Sequence, residues 1–305
     1  MKALKTAVVL FCAVIFSSGC HHLMFREKIT TPKVIDGFSS PESIISGRDC
    51  KYFYVSNVGE KLEPSVKDGD GYISRLKTDG IVVDKKFLPK DGVLDSPKGM
   101  AIIKKTLYVA DVDRVVGFSL DTRDKVFELD FSAEKTVFLN DLAVIDDNTL
   151  ALSSTDTNKV YKITLGEKPS FSVMQGNIAG PNGLYFDKKE NRLFVVGFGE
   201  GNKMNGELGV ILFADGKAKY KSLTGPLGAL DGVALANDER VIFSDWVEFG
   251  KPGVLWSYDL KTGALKSFQL SEEVKGPADF YYDRWHGTIW MPMMTQGKVL
   301  VDKIK

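Results

Sequence analysis

The chain is poor in cysteine and has no charge excess. It holds three cysteines in 305 residues, too few for a disulfide scaffold. Forty Lys and Arg residues face forty Asp and Glu residues. A nucleic-acid-binding protein would carry a basic excess or stripe, so no nucleic-acid partner is expected. Beyond the N-terminus no apolar run approaches the ~20 residues that a spanning helix needs, which excludes a transmembrane bundle. The sequence also lacks a Gly-x-Ser-x-Gly elbow, a metalloprotease helix and a Rossmann fingerprint, which leaves serine-hydrolase and dehydrogenase readings without support. What is plentiful is glycine, 29 residues of it, in keeping with an all-β chain of many tight turns.

The first residues read as an address. Lys2 and Lys5 make a positive start, Ala7 to Phe16 is unbroken apolar sequence, and Ser17, Ser18 and Gly19 are small, as processing requires. Ser17-Ser18-Gly19-Cys20 is similar to a bacterial lipobox, with Ser17 in place of the usual leucine, and makes Cys20 the lipidated first residue. An ordinary signal peptide cut nearby is the alternative. His21 is not the aspartate linked to inner-membrane retention, so outer-membrane anchoring is favoured over inner. The expectation is a bacterial envelope protein facing the periplasm or exterior and touching the membrane through its lipid alone. Residues 1–19 are then the signal, 20–32 a tether and 33–305 the folded domain. With Cys12 removed and Cys20 acylated, Cys50 is left alone and no intramolecular disulfide is expected.

The most informative pattern is an internal repeat. A short phrase recurs six times: Ser40-Pro41-Glu42-Ser43-Ile44, Ser96-Pro97-Lys98-Gly99-Met100, Phe138-Leu139-Asn140-Asp141-Leu142, Gly180-Pro181-Asn182-Gly183-Leu184, Ala229-Leu230-Asp231-Gly232-Val233 and Gly276-Pro277-Ala278-Asp279-Phe280. Successive third positions are 56, 42, 42, 49 and 47 residues apart. Each phrase opens a short apolar strand, then a polar turn, then a strand dense in β-branched and aromatic residues, such as RLFVVGF from Arg192 or RVIFSDW from Arg240. A third strand alternates apolar and polar residues, and a weaker fourth ends most units. Four strands in about 40–50 residues make a propeller blade. Six copies predict an all-β, six-bladed β-propeller with four-stranded blades. The last copy stops after three strands, so the extended segment Thr31 to Phe38 is expected to supply the missing outer strand and close the ring, protecting its edges.

The first strand of a blade lines the central channel, so the third residue of each phrase lies at one channel mouth. Those residues are Glu42, Lys98, Asn140, Asn182, Asp231 and Ala278. Two carboxylates and two carboxamides converge there. Hard oxygen donors without histidine or thiolate suit Ca²⁺ better than Zn²⁺, another divalent cation being the alternative, and two negative charges match one such ion. Asn and Asp also cap turns in purely structural roles. Four in register on one ring outweigh that reading.

On Pro41-Glu42, Asn140-Asp141, Pro181-Asn182-Gly183-Leu184 and Leu230-Asp231-Gly232-Val233, the chain resembles the senescence-marker-protein/gluconolactonase/luciferin-regenerating-enzyme family and, more distantly, the paraoxonases. The resemblance spans about residues 34 to 305. It implies a six-bladed propeller with calcium at the channel mouth that hydrolyses lactones and some esters. It also implies that Glu42, Asn182 and Asp231 hold the metal and that Asn140 binds the metal, its water or the substrate. Gluconolactonase-type members often have an arginine where this chain has Phe138, which shifts the expectation from sugar lactones toward a more apolar substrate. Paraoxonases are associated with a histidine pair near the metal. Here the histidines are His21 and His22, at the anchored end, and His286, in a turn expected to face away from the phrase residues.

The expected function is therefore calcium-dependent hydrolysis of a small-molecule lactone or ester. Asp231 is the candidate general base or, in a covalent variant, nucleophile. Lys98 is placed to stabilise an anionic product or simply to be solvated at the mouth. Loops joining second to third strands share this mouth. The longest runs from about Gly59 to Gly71, and blades four and five offer Gly199 to Gly206 and Asp245 to Phe249. Phe138, Met204, Trp246 and Phe249 are candidates for an apolar substrate wall, although aromatic residues at strand ends more often pack between blades. The alternative function is a non-catalytic propeller that binds a ligand or protein and holds a structural calcium.

Overall fold

The computed structural model describes residues 29–304. The expected signal, tether start and lipidation site Cys20 lie outside the described residues. Six four-stranded antiparallel sheets form a ring, making this a six-bladed β-propeller. Blade one runs through Pro41–Ser46, Tyr52–Asn57, Tyr72–Lys77 and Val82–Leu88 in that order from the axis outward. The innermost strands of blades two to five are Pro97–Ile103, Leu139–Asp146, Pro181–Asp187 and Leu230–Asn237. Innermost strands of successive blades touch around the ring.

Blade six is completed from the other end of the chain. Its strands Tyr281–Asp283, Thr288–Met293 and Lys298–Lys303 are joined on the outside by Lys33–Asp36, in register from Lys33 opposite Val301 to Asp36 opposite Lys298. This is the closure expected from the sequence. Pairing the two ends of the chain in one sheet removes the edge each would otherwise expose.

The hydrophobic core is divided into slabs, because each blade buries both faces against its neighbours. Phe53, Val55 and Leu76 of blade one pack on Trp290, Val299 and Val301 of blade six, with the Phe53 and Trp290 rings stacked at 4.1 Å. Leu142, Leu152 and Tyr161 of blade three pack likewise on Ala101, Tyr108 and Val115 of blade two. The apolar face of the second strands dictates this arrangement. In Tyr52–Asn57, Thr149–Ser154 and Arg192–Gly197 almost every residue is buried, as in a sheet covered on both sides.

One expectation is corrected. Cys50 is disulfide-bonded rather than alone. The chain's other two cysteines lie outside the described residues.

Candidate metal centre at the channel mouth

The repeated phrase forms a β-bulge. In five blades the ladder between first and second strands slips within it, between Pro41 and Ile44, Pro97 and Met100, Leu139 and Leu142, Pro181 and Leu184, and Leu230 and Val233. A bulge frees two residues from the ladder and re-aims their side chains. Here it turns the third residue of each phrase to the mouth. In blades one, three and five a second-strand serine braces it: Ser56, Ser153 and Ser244 Oγ accept the N–H of Ser43, Asp141 and Gly232 at 2.8–2.9 Å. The Ser153 and Ser244 hydroxyls donate onward to the carbonyls of Asn182 and Ala278 in the next blade. The phrases of blades three and four, and of blades five and six, are thus tied to each other.

Glu42, Asn140, Asn182 and Asp231 all line one cavity of about 730 Å³, and all four are buried. Among the described residues, the buried side-chain polar atoms that meet no hydrogen-bond partner are Glu42 Oε2, Asn140 Oδ1, Asn182 Oδ1 and Asp231 Oδ1. Buried polar atoms are nearly always paired, and an unpaired one costs about 1–3 kcal/mol. Four unpaired acceptors, on blades one, three, four and five of one ring and two of them carboxylate, form a set whose charge and oxygens a single cation would satisfy together. The set fits a hard divalent ion. No group of three or more His, Cys, Asp or Glu side chains placed to hold a metal occurs among the described residues, because half of this donor set is carboxamide.

The other oxygen of Asp231 is fixed. Trp246 Nε1 donates to Asp231 Oδ2 at 2.8 Å, which leaves Oδ1 as the free atom. Burial pushes the Asp231 carboxyl up to about 8, with Asp279 adding and hydrogen bonds from Trp246 and Asn182 opposing. Glu42 is held well above the usual carboxylate range by burial first, then by Asp231 and Asp279. Two further carboxylates lie in the next phrase position. Asp141 receives the N–H of Leu142 and of Leu184, each at 2.6 Å, and Asp279 receives the Ser43 hydroxyl at 2.5 Å. Burial raises both, Asp279 to about 7. Sequence reasoning missed this inner pair. The signal was present, since the fourth residue of the phrase is Ser, Gly, Asp, Gly, Gly and Asp around the ring.

The raised carboxylates make a pH prediction for chelator-treated protein. An ordinary aspartate titrates near 3.8, whereas Asp231 and Asp279 titrate near 8 and 7 in the fold. Between these values the native state binds more protons than the unfolded chain, so stability falls as pH rises. The melting temperature should therefore drop by on the order of several degrees from pH 5 to pH 8. Lys98, lowered to about 8 by burial, pulls the other way only above that window. A melting temperature that climbs from pH 5 to 8 in chelator contradicts this account.

The cavity walls are largely as expected. Lys98, Phe138, Trp246 and Phe249 line it, as do Leu62 and Pro64 of the long blade-one loop. Met204 does not line it. Met204 packs behind the wall, against the cluster that includes Val58, Phe198, Trp246 and Met294. Phe198, Met294 and Thr155 are lining residues that were not singled out from sequence. Each follows the last strand residue of the second strand in its blade, as Trp246 does, so the repeat itself marks that position as facing the mouth. His286 stays away from the cavity, bonded through Nδ1 to Asp283 at 2.8 Å.

Comparison with known proteins adds the fold and no family. No family model and no curated protein matches the sequence. The solved structures it is similar to include the β-propeller domain of Swd1 from Myceliophteria thermophila, at 9% identity and TM-score 0.61 over 90% of this chain and 99% of that one. Virginiamycin B lyase from Staphylococcus aureus matches at 14% identity and TM-score 0.56, covering 89% and 99%. A protein provisionally described as a 6-phosphogluconolactonase, from Bacteroides uniformis, matches at 11% identity and TM-score 0.60, covering 88% and 81%. At these identities the likeness is one of propeller fold.

Proposed function

We propose that the channel mouth binds a divalent cation, calcium by its donor set, and hydrolyses the ester or lactone bond of an apolar small molecule. The observation that carries this reading is the ring of four unpaired oxygens on Glu42, Asn140, Asn182 and Asp231, opening into an apolar cavity. The sequence resemblance to calcium-dependent lactonase propellers supports it, and a lactonase description attached to one propeller neighbour is compatible with it. Calcium bound there would polarise the scissile carbonyl and stabilise the oxyanion that forms on it.

The chain's own residues supply the rest. Asp231 Oδ1, held in place by the Trp246 bond to Oδ2, takes a proton from the attacking water as that oxygen bonds to the carbonyl carbon. The carbon–oxygen bond to the leaving alkoxide then breaks as Asp231 returns that proton to it, giving acid and alcohol and restoring the carboxylate. Phe138, Phe198, Trp246 and Phe249 exclude water around the acyl group. In the same reading the protein works from the bacterial envelope.

The test is turnover of a panel of alkyl lactones and aryl esters by purified protein, with calcium and with chelator. Hydrolysis that needs calcium and is lost in Asp231→Ala is the expected result. No turnover of any substrate, or turnover indifferent to both, rejects the catalytic reading. A second reading, a non-catalytic binding propeller, is favoured by a cavity wall that holds no histidine among the described residues. It predicts stabilisation by calcium without any reaction.

A further inference from the structure

The cavity contains one cation-bearing side chain that the hydrolytic scheme does not use. Lys98 occupies the second position of the mouth ring and is 1% exposed. Its Nζ donates one hydrogen bond, to the Ser96 carbonyl at 2.9 Å, and lies 4.8 Å from the centroid of the Phe138 ring. An ammonium has three donors. No carboxylate forms an ion pair with it among those found in the described residues, and every such pair found involves a more exposed cation. Burying a lysine with a single neutral acceptor is costly and needs a compensating partner.

The nearby charges do not provide that partner. Glu42 acts on Lys98 through space, but its unpaired oxygen belongs to the candidate metal set. Asp156 also lines the cavity, yet its carboxylate already accepts from Thr136 Oγ1, Ser154 Oγ and the Val137 N–H. Asp111 is engaged by Arg114 and by the N–H groups of Asp95 and Ser96. With a divalent cation matched by Glu42 and Asp231, and Asp156 held by three donors of its own blade, the Lys98 ammonium keeps two further N–H donors that no hydrogen bond among the described residues occupies.

We propose that Lys98 is an anion anchor and that the natural ligand of this cavity is an apolar molecule carrying a carboxylate. The inference rests on the small-molecule reading of the site given above, but not on hydrolysis. The carboxylate sits on the Lys98 and Phe138 side, and the apolar body lies along Phe198, Trp246 and Phe249. The carboxylate belongs either to the intact substrate, apart from its scissile bond, or to the acid released.

Calorimetric titration in calcium buffer tests this. The probes are glutaranilate, an anilide with a separate carboxylate, its uncharged carboxamide analogue, and 4-phenylbutyrate with its own carboxamide. Wild-type protein should prefer glutaranilate over its carboxamide by about tenfold or more, the usual worth of a charge-assisted hydrogen bond. Lys98→Met should abolish that preference, shifting carboxamide affinity by less than about threefold. The same loss for 4-phenylbutyrate identifies the released acid as a ligand too, and its absence assigns the anchor to the intact substrate. No preference in wild type, or a preference that survives in Lys98→Met, overturns the proposal. Lys98→Gln and a melting curve for each variant separate loss of binding from loss of fold. Because the anilides are not turned over, a protein that hydrolyses no ester can still pass this test.

Discussion

Asp231→Asn is expected to abolish both the calcium-induced rise in melting temperature and the hydrolytic activity, while leaving the calcium-free protein as stable as before or more so. The two halves have different causes. In the wild type, a cation present at 100 times its dissociation constant adds about 2.7 kcal/mol. For a chain of this size that corresponds to roughly 5 °C or more. The substitution keeps the side chain's shape and an acceptor for the Trp246 indole, but removes one of the two negative charges in the donor set. Losing even an outer-shell partner costs about 10–100-fold in metal affinity, so loss of a charged ligand should cost more. Loss of the general base removes a further factor of about 10²–10⁴ in rate.

The calcium-free protein behaves otherwise because the Asp231 carboxyl is a burden to the fold. Burial raises its titration to about 8, so keeping it ionised at higher pH costs stability that a neutral amide does not. Melting curves of both proteins, with calcium and with chelator at pH 8, decide the matter. A calcium shift that persists in Asp231→Asn would remove Asp231 from the donor set. A calcium-free variant that melts far below the wild type would show that the carboxylate's role is structural.

Gly183→Ala is expected to be among the most destabilising single-methyl additions in the protein. Gly183 follows Asn182 in the fourth phrase, and its φ is not positive, so the demand is for space alone. A Cβ there overlaps the Asp231 carbonyl oxygen and comes within 3.1 Å of Gly232 Cα and of a Val196 methyl. The first two are backbone of the next bulge, which cannot turn aside as a long side chain would. Overpacking of this kind costs about 1–3 kcal/mol, and the upper end applies where backbone must move. The metal response should fall as well, because the displaced backbone carries Asp231. Gly176→Ala is the control, since nothing lies within 4 Å of its added methyl and its φ is not positive. Its melting temperature should stay within about 2 °C of wild type, as a compatible Gly→Ala change alters stability by only ~0.4–1 kcal/mol. Equal behaviour of the two variants would show that the phrase bulges have slack.

These two predictions differ in what they needed. Asp231 was identified from its place in a sixfold repeat, because a residue type that recurs at one repeat position occupies one place in the ring. Gly183 was visible as a repeated small residue, but the atom it makes room for belongs to a strand 48 residues later and is placed by inter-blade packing. Asp141 and Asp279 stand in the same phrases, and both are buried carboxylates. Burial of the fourth position depends on how closely the innermost strands approach, which one blade's sequence does not encode. Met204 was expected in the cavity wall and lies behind it, since loop position fixes nearness to the mouth but not which way a side chain packs.

By itself the sequence determined the number of blades, the closing strand and the ring of Glu42, Asn140, Asn182 and Asp231. All three follow from the repeat, because a closed ring converts the same position in successive units into equivalent places around an axis, whatever the loop lengths between them. Only the tertiary structure decided that four oxygens of that ring lack partners, that Trp246 fixes Asp231, that Lys98 is buried without a counter-ion, and that Cys50 is bonded. Those facts depend on contacts between blades and between distant segments. Side-chain orientation there is set by the packing of both partners at once.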